Sequence, residues 1–146
     1  MQAAMRAYTF ANAVDSVPKA RHRVHKILQA CKYDSDLIDM ALLCTSELVT
    51  NAVTHATTAP TFTVICKLQI DMLTIGVIDR DPGLPHKLDV YDDDDFGRGL
   101  LLVESLSDEW GVEARKHGKM VFARLKVAAP HTPAELHEDD PTPCFT

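Results

Sequence analysis

The stretch SELVTNAVTHA places Glu47 and Asn51 four residues apart. On a helix the two lie about 40° apart, on one flank of an apolar stripe. A carboxylate beside an amide oxygen supplies a proton acceptor and a hard ligand for a cation such as Mg²⁺. Alone, the pair reads more often as a solvated helix edge than as a site. In VIDRDPGLP a strand ends at Asp79 and the chain turns through Pro82 and Gly83. A carboxylate held at a strand end accepts a hydrogen bond from an exocyclic amine, and glycine lets a flat ligand approach the backbone. An ordinary Asp-Pro-Gly turn has the same composition. In FGRGLLLVESL, Gly97 and Gly99 bracket Arg98 before a helix. Backbone amides at such a helix start receive phosphate oxygens and Arg98 adds positive charge, although a plain loop-to-helix junction uses the same glycines.

These residues depend on the elements that carry them. Arg6–Val14 alternates weakly and reads as an entry strand. Ser16 and Pro18 open an amphipathic helix, KARHRVHKILQAC, with Ser16 as N-cap and Val24, Ile27, Leu28 and Cys31 on one face. Its basic residues read as solvated surface, with docking to an acidic partner as the alternative. A second helix starts near Asp34 or Ser35 and carries Leu37, Ile38, Ala41, Leu42, Thr45, Leu48, Val49, Ala52 and Val53 at helical spacing. After Pro60, TFTVICKLQI and DMLTIGVID form an antiparallel hairpin joined near Gln69–Met72. Residues 80–98 hold Pro82, Gly83, Pro85, Asp89 and Asp92 through Asp95, a long loop expected to act as a lid. GLLLVESL reads as a short buried helix, and DEWGVEARKH with GKMVFARLKV as a strand pair turning near His117-Gly118.

The 146 residues, 46% hydrophobic and 25% charged, fit one globular core and exclude a largely disordered chain. The expected division is a domain over 1–128 and a flexible acidic tail over 129–146, where four of the eight prolines fall. Fifteen Lys plus Arg against twenty-one Asp plus Glu, net −6, disfavour a protein that neutralises many nucleic-acid phosphates. Cys31, Cys44, Cys66 and Cys144 form no C-x-x-C pair, which fits a reducing cytoplasm better than structural zinc. MQAAMRAYTF lacks the pattern of a secretory signal. Leu48–Cys66, the longest uncharged run, is interrupted by Asn51, His55, Pro60 and six threonines, so no membrane span is expected there.

Taken in order, SELVTNAVTHA, VIDRDPGLP and GRGLLLVESLSDEWGV resemble the N-box and the two glycine boxes of the ATP-binding fold shared by histidine kinases, heat-shock chaperones, gyrase and MutL proteins. The likeness covers Val14–Leu125 and is greatest to the stand-alone anti-sigma-factor serine/threonine kinases of bacteria, especially the actinobacterial type. It implies an α/β two-layer sandwich with a mixed, mostly antiparallel sheet and helices on one face. It also implies Glu47 as general base or water-positioning group, Asn51 as Mg²⁺ ligand and Asp79 as adenine anchor. Gly83 falls at the second glycine of the D-x-G-x-G pattern, and Gly97, Arg98, Gly99 and Leu100 fall where the lid meets the triphosphate. His55 reads as a structural histidine favoured by the helix C-terminus.

The function so implied is transfer of the ATP γ-phosphoryl group to a serine or threonine of an anti-anti-sigma protein, by a cytoplasmic homodimer that also binds a sigma factor. The alternative is a non-catalytic anti-sigma or signalling module of the same fold. Three positions depart from the family pattern: Asp81 stands at its first glycine, Met120 where a threonine is common, and Asp92–Asp95 put four carboxylates in the lid.

Overall fold

The computed structural model describes residues 4–55, 59–80 and 94–127, with side chains from Gly99 onward in the last segment. Residues 81–93, most of the expected 80–98 lid and including Asp81, Gly83, Asp92 and Asp93, lie outside the described residues, as do the side chains of 94–98 and the tail. The backbone of Asp94 and Asp95 is helical instead of part of a loop.

The elements are β1 (Ala4–Ala11), α1 (Ser16–Ala30), α2 (Ser35–His55), β2 (Thr61–Leu68), β3 (Met72–Asp79), α3 (Asp94–Leu106), β4 (Glu109–Arg115) and β5 (Gly118–Lys126). The five strands form one sheet in the order β1-β2-β3-β5-β4. Each of its four pairings is antiparallel. The expected sandwich with a largely antiparallel sheet is therefore present.

Strand alternation decides which side chains meet the helices. Phe62, Val64, Cys66 and Leu68 of β2, Leu73, Ile75 and Val77 of β3, and Val121, Ala123 and Leu125 of β5 share a core with Val24, Ile27 and Leu28 of α1 and Leu48 and Val49 of α2. The opposite face carries a smaller cluster of Ile65, Met120 and Phe122, with Ile78 against it. Among the described residues α2 is the one helix long and apolar enough to cross a membrane. Its apolar side is buried in this core.

Two helix starts differ from the expectation. Asp15, not Ser16, is the N-cap of α1, and it makes no side-chain cap bond. The amides of Ser16 and Val17 donate instead to the carbonyls of Ala13 and Val14, at 3.0 and 3.1 Å, so backbone does the work of a capping side chain. α3 begins at Asp94, five residues before the expected Gly99, so Gly97 and Gly99 lie within the helix instead of at a loop junction. Nor is α3 buried all round: Leu100 and Val103 are in the core, whereas Leu101 is 54% exposed. Steps of 100° cannot turn successive leucines to one side. α2 starts as expected, the Asp36 amide donating to Asp34 Oδ1 at 3.2 Å.

Burial alone pushes the Cys66 thiol up to about 12. Cys44 rises to about 11, through burial and then the charge of Glu47. Tyr33 rises to about 12, through burial and then Cys66. A raised value means that the fold favours the neutral form, so this stability is complete below the ordinary values and is lost as pH climbs through the raised ones. Thermal midpoints should hold up to about pH 9 and fall steadily towards pH 12. Titration melts test this, and a flat profile to pH 11 would refute it. Both thiols should also resist a disulfide reagent at pH 8 until denaturant is added.

Candidate functional site

The N-box flank of α2 faces the first turns of α3. Glu47 is half-buried and Asn51 is 6% exposed. A Cβ built on Gly99 would stand 3.0 Å from Glu47 Oε2 and 3.2 Å from Asn51 Oδ1. Both oxygens thus converge on one point beside the α3 backbone, and only glycine leaves that point open. Leu100, the next residue, points into the core and fixes how α3 is turned.

Asn51 Nδ2 is buried and, among the described residues, meets no hydrogen-bond partner. An unmet buried donor costs about 1–3 kcal/mol, and it marks a place where a ligand oxygen would be accepted. The carboxylate and amide oxygens suit a hard cation. Among the described residues no three His, Cys, Asp or Glu side chains gather into a metal cluster. A Mg²⁺ held here would therefore take Asn51 Oδ1 and complete its shell with water and phosphate oxygens, which is its ordinary habit.

Asp79 ends β3 on the inward-facing side and is 2% exposed. Directly across the ladder in β5 stands Lys119, which is 7% exposed. Lys119 Nζ donates to Asp79 Oδ1 at 3.2 Å and lies 3.0 Å from Oδ2. Gly118, just before it, has φ +157°, and a Cβ there would run into the Asp79 carbonyl oxygen. Glycine is what lets β5 start flush against the end of β3. Leu48, Asn51, Ala52, His55, Val77, Asp79, Lys119 and Val121 enclose a slot of about 10 Å³, room for one water. Leu48, Ala52, Val77 and Val121 give it aliphatic walls, and the Asp79–Lys119 ion pair is part of its lining.

Of the expected site residues, the structure brings Glu47, Asn51 and Gly99 together. Asn51 also borders the slot that holds Asp79, and His55 lines it from the last turn of α2. Met120 is not at the site. It projects from the other sheet face, beside Gly76 and Ile65, and Arg115 Nη2 donates to its sulfur at 3.4 Å. Period-two alternation is the reason: residue 119 faces the helices, so residue 120 cannot. The side chain that does face Asp79, Lys119, was missed. Its signal was available, because Lys119, Val121, Ala123 and Leu125 form one alternating set, and the lysine interrupts an otherwise apolar inward face.

Residues 10–125 match the histidine kinase-like ATPase domain family. Among solved structures, the chain resembles the RsbU and RsbW domains of a Mycobacterium tuberculosis protein, with 18% identity and a TM-score of 0.64. That likeness covers 88% of this chain and 34% of the other. A histidine kinase domain from a blue-light activated histidine kinase of Erythrobacter litoralis aligns at 18% identity with a TM-score of 0.49, covering 77% of this chain and 61% of that one. No curated protein matches the chain. The family match spans most of the chain, and the sheet order, the helix layer and the first solved structure agree with it. This chain belongs to the histidine kinase-like ATPase domain family.

Proposed function

We propose that the protein binds ATP with Mg²⁺ and transfers the γ-phosphoryl group to a serine or threonine of an anti-anti-sigma protein, as a stand-alone anti-sigma kinase of the actinobacterial type. Family membership implies the ATP; the convergence of Glu47 Oε2 and Asn51 Oδ1 beside Gly99 is the observation that carries the kinase reading. The RsbW domain named in the M. tuberculosis structure lends it support. In this reading the domain ends near residue 128, the chain works as a cytoplasmic homodimer, and a sigma factor is its second partner.

The chemistry needed is modest, because phosphoryl transfer rests mainly on positioning and charge stabilisation. Asp79 accepts a hydrogen bond from the adenine amine in the slot. Asn51 would hold the metal, and Gly97, Arg98, Gly99 and Leu100 are the positions that the resemblance assigns to the triphosphate. When bound, Mg²⁺ would supply charge neutralisation for the phosphates. Glu47 accepts the proton of the acceptor hydroxyl as its oxygen bonds to the γ phosphorus. The bond from that phosphorus to the bridging oxygen breaks, and ADP departs.

Calorimetric titration of ATP, with and without Mg²⁺, followed by transfer of labelled phosphate to an anti-anti-sigma protein, tests this. Mg²⁺-dependent binding and a labelled serine or threonine are expected. A folded protein that binds no ATP would instead be a non-catalytic anti-sigma or signalling module.

Gly99→Ala fills the point where the two oxygens converge. Overpacking of this kind costs about 1–3 kcal/mol. ATP affinity should fall about tenfold or more while melting stays cooperative. Unchanged affinity would remove that point from the site.

A further inference from the structure

We propose that Lys119 is a base-reading residue: its ammonium donates directly to ring nitrogen N1 of adenine while Asp79 takes the exocyclic amine. This inference rests on the ATP-binding reading above.

Asp79 and Lys119 are partners in the β3–β5 ladder, so their side chains reach the slot side by side. Both are almost wholly removed from water, at 3% and 9% side-chain exposure. A buried carboxylate only accepts and a buried ammonium only donates. Adenine presents the complementary order, an amine donor next to a ring-nitrogen acceptor. The ammonium has three donors and the carboxylate two oxygens, so a donor remains for a ligand after the pair has formed. Aliphatic walls from Leu48, Ala52, Val77 and Val121 suit the two faces of a flat ring.

With the pair closed, the slot holds about one water and excludes a purine. Entry of the base must therefore draw the ammonium off one carboxylate oxygen. The exchange conserves the number of hydrogen bonds: at one carboxylate oxygen the amine takes the place of the ammonium and N1 takes that oxygen's place at Lys119, while the ammonium stays on the second oxygen. Neither charge is left buried and unmet, which is the condition for opening such a pair without a large penalty. A methionine or leucine at position 119 would allow the amine contact alone.

The test compares ATP with 1-deaza-ATP, in which N1 is a CH group, in the full chain with Mg²⁺. Wild-type protein should bind 1-deaza-ATP about tenfold or more weakly, the usual scale for losing the partner of a charged donor. Lys119→Met should cut that preference to about twofold or less. Because Lys119→Met leaves Asp79 buried without its cation, Lys119→Gln, which keeps a neutral donor to Asp79, is measured beside it with a melt of each. A smaller preference in the folded Gln variant than in wild type is expected. If wild type binds both nucleotides equally, or if folded variants keep the full preference, the role of Lys119 is overturned while ATP binding stands. If wild type binds neither, the ATP-binding reading falls and this inference with it.

Discussion

Asp79→Asn is expected to lower folding stability by about 3 kcal/mol or more, as well as weakening ATP binding. The structural reason is Lys119, whose ammonium lies 3.0 Å from the Asp79 carboxylate with only 9% of its side chain exposed. Removing one partner of a buried pair strands the other charge, a larger penalty than the net value of the pair. For a domain of this size the thermal midpoint should drop on the order of 10 °C. Adding Lys119→Met to Asp79→Asn should recover most of that loss, because a neutral, well-packed pair no longer carries a buried charge. Denaturant melts of the wild type, both single variants and the double variant form the cycle that decides it. A single Asp79→Asn variant as stable as wild type would mean that the pair is not desolvated in solution. Read from the sequence alone, the same substitution would be expected to weaken nucleotide binding and leave the fold cooperative.

The second large effect concerns the chemical step. Glu47→Gln keeps the size of the side chain beside Gly99 but removes the proton acceptor. Phosphoryl transfer should fall by about 10²–10⁴, the usual range for a positioned general base, with ATP affinity changed less than about threefold. Glu47 bears charge felt one turn earlier in α2, where it helps push the Cys44 thiol up to about 11. Single-turnover transfer of labelled phosphate, set beside calorimetric ATP binding, separates rate from affinity. A variant that transfers at the wild-type rate would exclude Glu47 as the base.

Much of the scaffold is legible in the sequence. The i, i+3, i+4 spacing from Leu37 to Val53 marks α2 because the pattern is long and the residues that carry it are neighbours in sequence. The β2–β3 hairpin follows from two apolar, β-branched runs with a short connection, and the β4–β5 pair from a turn at His117-Gly118. Glu47 and Asn51 could be placed on one flank of α2 by helical geometry alone. The start of α3 was less legible, since Gly97 and Gly99 weaken the helical signal where the acidic first turn sustains it.

What sequence determined by itself is thus local: which stretches are helix or strand, which face of each is apolar, and which polar residues share a flank. Tertiary structure decided the rest. Gly99 meets Glu47 and Asn51 only because α3 packs on α2, about fifty residues away along the chain. Asp79 meets Lys119 only because β5 docks on β3 in one register, and a shift of one residue would have put Met120 there and the lysine on the far side. Strand register is set by burial of an entire inward face at once, through Leu73, Ile75 and Val77 against Leu125, Ala123 and Val121. No single motif contains that cooperative choice, so the ion pair in the slot could emerge only from the assembled sheet.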